Sequence, residues 1–134
     1  MNDPRQVVER QRDALDAHDL DALADCFHED LHSEDFVHPS QTFRGREQVK
    51  RNWELVLRQV PDLKVRLVDT AVNGDTVWAE WRFWGTKRSG EMLDLRGVTV
   101  SKVVDGRIVS SRRYLAPIDP GAASVEDAFR KLVE

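Results

Sequence analysis

With a single cysteine, Cys26, in 134 residues, the chain cannot form an internal disulfide. Without a His or acidic partner at a recognisable nucleophile spacing, Cys26 reads as a small core hydrophobe. The length is enough to bury a core with neither disulfide nor metal. No apolar run approaches the ~20 residues that cross a bilayer, and the polar start Met1-Asn2-Asp3-Pro4-Arg5 lacks a signal-peptide apolar region. The expectation is a cytoplasmic protein without a membrane partner. Neither sign of charge dominates: 24 acids and 20 bases are interspersed for a net charge of -4, which argues against nucleic-acid binding. Internal repeats, low-complexity tracts and a second domain are also missing. Residues 1–134 therefore read as one domain, with 117–134 as its C-terminal connector and helix.

What the chain does have in quantity is tryptophan in one place. Three of its four tryptophans fall in Asp75 to Thr86, with a Glu and an Arg between them. Period-two alternation puts Val77, Ala79, Trp81 and Phe83 on one face of a strand there, and Trp78, Glu80, Arg82 and Trp84 on the other. Large aromatics on both sides require something packed against both sides: a core on one, a ligand or a second subunit on the other.

Around this strand the elements follow from local signals. Asp3 before Pro4 starts a first helix reaching about Ala17 or His18, with Val7, Val8, Gln11, Ala14, Leu15 and His18 on one face. Asp19 caps a short second helix carrying Leu20, Leu23, Ala24 and Phe27. Residues 31–38 form a short polar strand stopped by Pro39. A loop from Ser40 to Arg44 leads to Gly45 and a third helix, which ends before Pro61 and buries Val49, Trp53, Val56, Leu57 and Val60. Four long antiparallel strands follow, separated by the glycine turns Asn73-Gly74-Asp75, Lys87-Arg88-Ser89-Gly90 and Asp105-Gly106. The apolar parity slips after Leu67, which predicts a bulge near Leu67-Val68 and a curved sheet. Ser124 caps a last helix with Val125, Ala128, Phe129 and Leu132 on one face.

Four words of the sequence, Phe43-Arg44-Gly45-Arg46-Glu47-Gln48-Val49, Trp78-Ala79-Glu80-Trp81-Arg82, Val104-Asp105-Gly106-Arg107-Ile108 and Arg113-Tyr114, resemble the SnoaL-like branch of the nuclear transport factor 2-like superfamily. So does the order of elements, over about His18 to Ile118. The resemblance implies an α+β, cystatin-like cone: a strongly bent antiparallel sheet wrapped around the N-terminal helices, an apolar pocket, and here an added C-terminal helix. It also implies a homodimer and chemistry of the polyketide cyclase or ketosteroid isomerase kind, lyase or isomerase, on a small hydrophobic carbonyl compound without cofactor or metal. The epoxide hydrolases of the superfamily carry an arginine and an aspartate where this chain has Trp81 and Phe83, and an aspartate where it has Arg113.

By this resemblance the pocket is lined by Trp53, Leu57, Trp81 and Phe83, by Arg96 and Val98 of the next strand, and by Ser111, Arg113 and Leu115 of the last. The isomerases place a general-base aspartate just before a proline; His38-Pro39 stands there, and a histidine abstracts protons near neutral pH without a shifted pKa. The candidate catalytic set is His38, Asp35 and Arg113, with Glu34 and Asp94 as further acids at the mouth. The second aspartate of the isomerases falls on Val98. His32, Glu34 and His38 share a strand parity, but i to i+6 spans about 20 Å, too long for one ion. Trp78, Glu80, Arg82, Trp84, Arg112 and Tyr114 form the expected dimer face, with Glu80 paired to Arg82 or Arg112. Non-catalytic binding or dimerisation is the alternative to an enzyme.

Overall fold

The computed structural model describes residues 3–121 and 123–134. Met1 and Asn2 of the predicted polar start and Ala122 of the predicted connector lie outside the described residues. Helix α1 (Arg5–Asp16) opens with the Asp3 carboxylate accepting from the Arg5 N–H at 2.9 Å. It buries Val7, Val8, Ala14 and Leu15. His18 adopts a positive φ of 56° at the joint, where its Nε2 lies 2.9 Å from the Leu63 carbonyl oxygen. That bond ties the joint to the start of the long strands and keeps His18 out of the pocket.

Helix α2 (Leu20–Asp25) is capped by Asp19, whose Oδ1 accepts from Ala22 N–H. It ends sooner than its apolar spacing predicts, because Phe27 begins strand β1 (Phe27–Asp35). The predicted loop before α3 contains a 3₁₀ turn at Pro39–Gln41 and a two-residue strand β2 (Phe43–Arg44). Helix α3 (Arg46–Gln59) follows Gly45, whose φ of 90° suits glycine. Then come β3 (Lys64–Asn73), β4 (Thr76–Thr86), β5 (Met92–Val104), β6 (Arg107–Pro117) and, after the connector, α4 (Val125–Val133).

The six strands form one sheet in the order β2-β1-β6-β5-β4-β3. β3 to β6 are the expected antiparallel meander, but β1 lies parallel to β6. The sheet is therefore mixed. A parallel neighbour needs a long connection, and α3 with three strands supplies it. The predicted bulge is present: β3 shifts register against β4 between Leu67 and Asp69. Asp105 and Gly106 both take positive φ in the β5–β6 turn, 51° and 76°. At Gly97 (φ 153°) a Cβ would stand 1.9 Å from the Tyr114 carbonyl oxygen, so a bare α-carbon lets β5 close onto β6. These irregularities curl the sheet around α1 and α3. The core at its concave side is built from Val8, Leu15, Leu23, Leu31, Val77, Ala79 and Ile108.

No helix among the described residues is long and apolar enough to cross a membrane. Ser124 Oγ caps α4 by accepting from Asp127 N–H at 3.1 Å, while Val125, Phe129 and Leu132 remain exposed.

Candidate active site

A cavity of about 470 Å³ opens between the concave sheet face and the helices. One wall is aromatic and aliphatic. Trp81 and Phe83 of β4 stack with ring centroids 5.6 Å apart, and Trp53 of α3 tilts against Phe83 at 5.0 Å. These three line the cavity without filling it, together with Val56, Leu95 and Leu115. Trp81 is nearly fully buried, so its indole N–H needs a partner, and it donates to Thr99 Oγ1 at 2.9 Å.

The opposite wall is polar and comes from β1, β6 and the 3₁₀ turn. Ser33, Asp35, His38, Gln41, Ser111 and Arg113 all reach it. On β1 the parity that faces the cavity is Ser33 and Asp35; His32 and Glu34 pair with each other at 3.1 Å on the other side. β1 and β6 are in register here, Ser33 beside Ser111 and Asp35 beside Arg113.

Asp35 is buried, and its Oδ1 accepts from the backbone N–H of His38 at 2.8 Å and of Val37 at 3.1 Å. This carboxylate-capped turn stops β1 and swings the chain into His38-Pro39. His38 Nδ1 comes back to within 3.5 Å of the same oxygen. Burial pushes the Asp35 carboxyl up, but the His38 and Val37 N–H groups and the charges of Arg113 and His38 outweigh it. The net result is a pKa below the usual carboxylate value. Asp35 is thus an anion at neutral pH.

Arg113 enters the cavity from β6. Its Nε donates to Ser33 Oγ at 2.9 Å, its Nη2 to the Gln41 carbonyl at 2.7 Å, and its guanidinium lies 5.1 Å over the Phe43 ring. Burial lowers its pKa, and Asp35 opposes that shift. Three fixed partners hold the guanidinium rigid, and among the described residues Nη1 makes no hydrogen bond.

Several expected lining residues lie elsewhere. Arg96 and Val98 point to the outer face of the sheet, where Arg96 pairs with Asp94 at 2.9 Å; the cavity side of β5 is Leu95, Thr99 and Ser101. The cause is a second irregularity. Val109 has no partner on β5, which displaces the β5–β6 register by one residue, so Arg113 faces Thr99 and Leu115 faces Gly97. Leu57 packs against the core beside the cavity instead of lining it. Asp94 and Glu34 are outer-face residues. Ser33, Gln41, Thr99 and Ser101 were absent from the sequence-based set; the β1–β6 and β4–β5 registers, which no local pattern encodes, bring in Ser33, Thr99 and Ser101, and the 3₁₀ turn brings in Gln41. Among the described residues no group of three His, Cys, Asp or Glu side chains could hold a metal ion.

A curled mixed sheet closing over helices around an apolar cavity with one polar wall is the ketosteroid isomerase-like class of α+β fold. The SnoaL-like domain family matches residues 8–111, and the chain belongs to it. IdmH from Streptomyces antibioticus, described as a proposed polyketide cyclase, has a similar structure: TM-score 0.71, 24% identity, 87% of this chain and 92% of that one. An LEH-like epoxide hydrolase from M. tuberculosis superposes with TM-score 0.71 at 22% identity, covering 97% of this chain and 89% of its own. A protein with a ketosteroid isomerase-like fold from Catenulispora acidiphila DSM 44928, in complex with trimethylamine, gives TM-score 0.67 at 20% identity, with coverages of 81% and 83%. No curated protein sequence matches the chain.

Proposed function

We propose that the cavity takes a small hydrophobic carbonyl compound and that the chain performs acid/base chemistry on it, of the cyclase, isomerase or hydrolase type found among its structural relatives. The observation that carries this reading is the meeting of a fixed guanidinium, an ionised buried carboxylate and a histidine on one wall of an otherwise apolar cavity. In this reading Asp35 favours the His38 tautomer with its proton on Nδ1, leaving Nε2 as the base. Nε2 takes a proton from the carbon next to the bound carbonyl, and the electron pair of that C–H bond becomes an enolate. Arg113 Nη1 donates to the enolate oxygen. Where a β,γ double bond extends the enolate to a dienolate, return of the proton at the γ-carbon gives an isomerisation; attack of the enolate carbon on a second carbonyl of the same molecule, with the proton passing from His38 to the new alkoxide, gives ring closure.

Exchange of the α-protons of 2-tetralone in D₂O, followed by NMR, tests this directly. The parent protein is expected to accelerate exchange, and His38→Ala and Arg113→Ala to lose about 100-fold or more of that rate, as for removal of a general base or an oxyanion donor. Parent-like exchange in His38→Ala together with Asp35→Asn means that these residues are not the acid/base pair. A second reading, binding without turnover, is favoured by the fact that Asp35 Oδ1 and Arg113 Nε and Nη2 already satisfy groups of the chain itself. Saturable binding of the ketone with exchange at the buffer rate supports that reading instead.

A further inference from the structure

The ladder through β5, β6 and β1 divides the cavity wall into rungs. Thr99, Arg113 and Asp35 form one of them, and the next on the same face is Ser101, Ser111 and Ser33. Exposure falls along this direction. Pro117 at the end of β6 is exposed and Arg113 is half-buried, whereas Ser101 is 2% exposed, Ser111 7% and Ser33 2%. Past the serines the wall ends on the buried apolar rung of Val103, Ile108 and Phe27. The serine rung is therefore the inner end of the cavity.

A hydroxyl on the floor of an apolar cavity is costly unless it has a partner. Ser33 has one, since its Oγ accepts from Arg113 Nε at 2.9 Å. Ser101 and Ser111 line the cavity, and among the described residues their side chains make no hydrogen bond. Helix α1 brings a third group of this kind. Gln11 lies in the middle of the apolar stripe of α1, three or four residues from Val7, Val8, Ala14 and Leu15, all of them buried. A leucine at this position would continue the stripe. Instead the Gln11 amide reaches the cavity, where its Oε1 is buried without a donor. An unmet buried acceptor weakens the folded chain, so a compensating bond has to come from what the cavity holds.

We propose that Gln11, Ser101 and Ser111 form an inner subsite for a hydroxyl group of the ligand. A hydroxyl matches this set because it donates one hydrogen bond, to Gln11 Oε1, and accepts from a serine O–H at the same time. A ketone oxygen only accepts and would leave Gln11 unmet. The inference rests on the reading that the cavity takes a carbonyl compound, and it narrows the class to a hydroxy ketone. Successive rungs on one face are two residues apart along a strand, about 7 Å. With Arg113 on the carbonyl oxygen, the hydroxyl belongs at about that distance from it, across a flat apolar skeleton that meets Trp81 and Phe83.

Calorimetric titration with 2-tetralone and with 6-hydroxy-2-tetralone, whose hydroxyl stands across the two rings from the carbonyl, tests the subsite. The parent is expected to bind the hydroxy ketone about tenfold more tightly or better. Gln11→Leu restores the apolar stripe and is expected to bring the two affinities within about twofold of each other, with a melting temperature at or above that of the parent. Ser111→Ala removes one donor and should cut the preference about threefold. Equal affinities in the parent, or a full preference kept in Gln11→Leu, would overturn the proposal. The same comparison between tetralin and 6-hydroxytetralin, which lack the carbonyl, separates the subsite from the acid/base reading. A hydroxyl preference in that pair that vanishes in Gln11→Leu supports the subsite even if no ketone exchanges its α-protons. Accelerated exchange of 2-tetralone with no hydroxyl preference in either pair overturns the subsite and leaves the acid/base reading standing.

Discussion

Asp35 shows how one side chain serves local folding and the site together. Its Oδ1 stops β1 by holding the Val37 and His38 N–H groups, and the same bonds help keep it ionised in a buried position beside Arg113. Because its folded pKa lies below that of an unfolded aspartate, ~3.9, the unfolded chain binds the proton more tightly. The stability this provides is fully present above about pH 4 and disappears as pH falls through the folded value. Asp35→Asn keeps an acceptor but loses the charge, and is expected to cost about 1–2 kcal/mol at neutral pH. The gap between parent and variant should close as pH falls from about 4 through the lowered folded value. Urea-unfolding midpoints across that range measure it; a gap that widens towards acid would show that the carboxylate is not stabilised by folding. Of the polar wall, His38 and Arg113 were legible through the family resemblance, which points to the residue before the proline and to the last strand, and Asp35 as an acid near the mouth of the pocket. Ser33 and Gln41, which anchor Arg113, were not, since their role exists only once residues 72 and 80 positions apart in the chain are brought together.

At the level of elements, the strands and helices were legible from periodicity and turn glycines, and the β3 bulge from its slipped apolar pattern. What failed was phase. Counting back from the Asp105-Gly106 turn assumes an unbroken ladder, and the single unpaired Val109 moves each later β5 partner by one position, turning Arg96 and Val98 outward. β5 gives little hydrophobic warning, because its cavity side holds Thr99 and Ser101 while the buried Val100 faces the other way. Gly97 is the point where β5 lies against the backbone of Tyr114 and Leu115 on β6. Gly97→Ala would drive a methyl group into the Tyr114 carbonyl at 1.9 Å and the Leu115 α-carbon at 2.8 Å, both backbone and unable to swing aside. The expected cost is about 3 kcal/mol or more, at the upper end of overpacking penalties. Arg113 and Leu115 sit on the strand that would be displaced, so ketone binding should weaken along with thermal stability. A melting temperature equal to that of the parent would mean that β5 lies against β6 without needing a bare α-carbon.

At the scale of the whole molecule one sheet presents two surfaces, and β4 divides them residue by residue. Trp81 and Phe83 line the cavity from the concave side, while Glu80 and Arg82 lie on the opposite side of the same strand. Neither surface contributes a side chain to the other, so ligand binding in the cavity and dimerisation through the face expected from the family resemblance should be lost separately. Glu80→Arg is expected to abolish dimerisation while 2-tetralone still quenches tryptophan fluorescence with a dissociation constant within about threefold of the parent, since exposed substitutions without new buried contacts change stability by about 0.5 kcal/mol or less. Trp53→Ala, which removes a ring from the cavity wall at 5.0 Å from Phe83, should behave in the converse way: weaker ketone binding by about tenfold or more, with the dimer intact. Titrations on both variants, each paired with light scattering at the same protein concentrations, give four readings. If Glu80→Arg loses the ketone and the dimer together, the two faces are coupled through the sheet, and the cavity is complete only in the assembled pair.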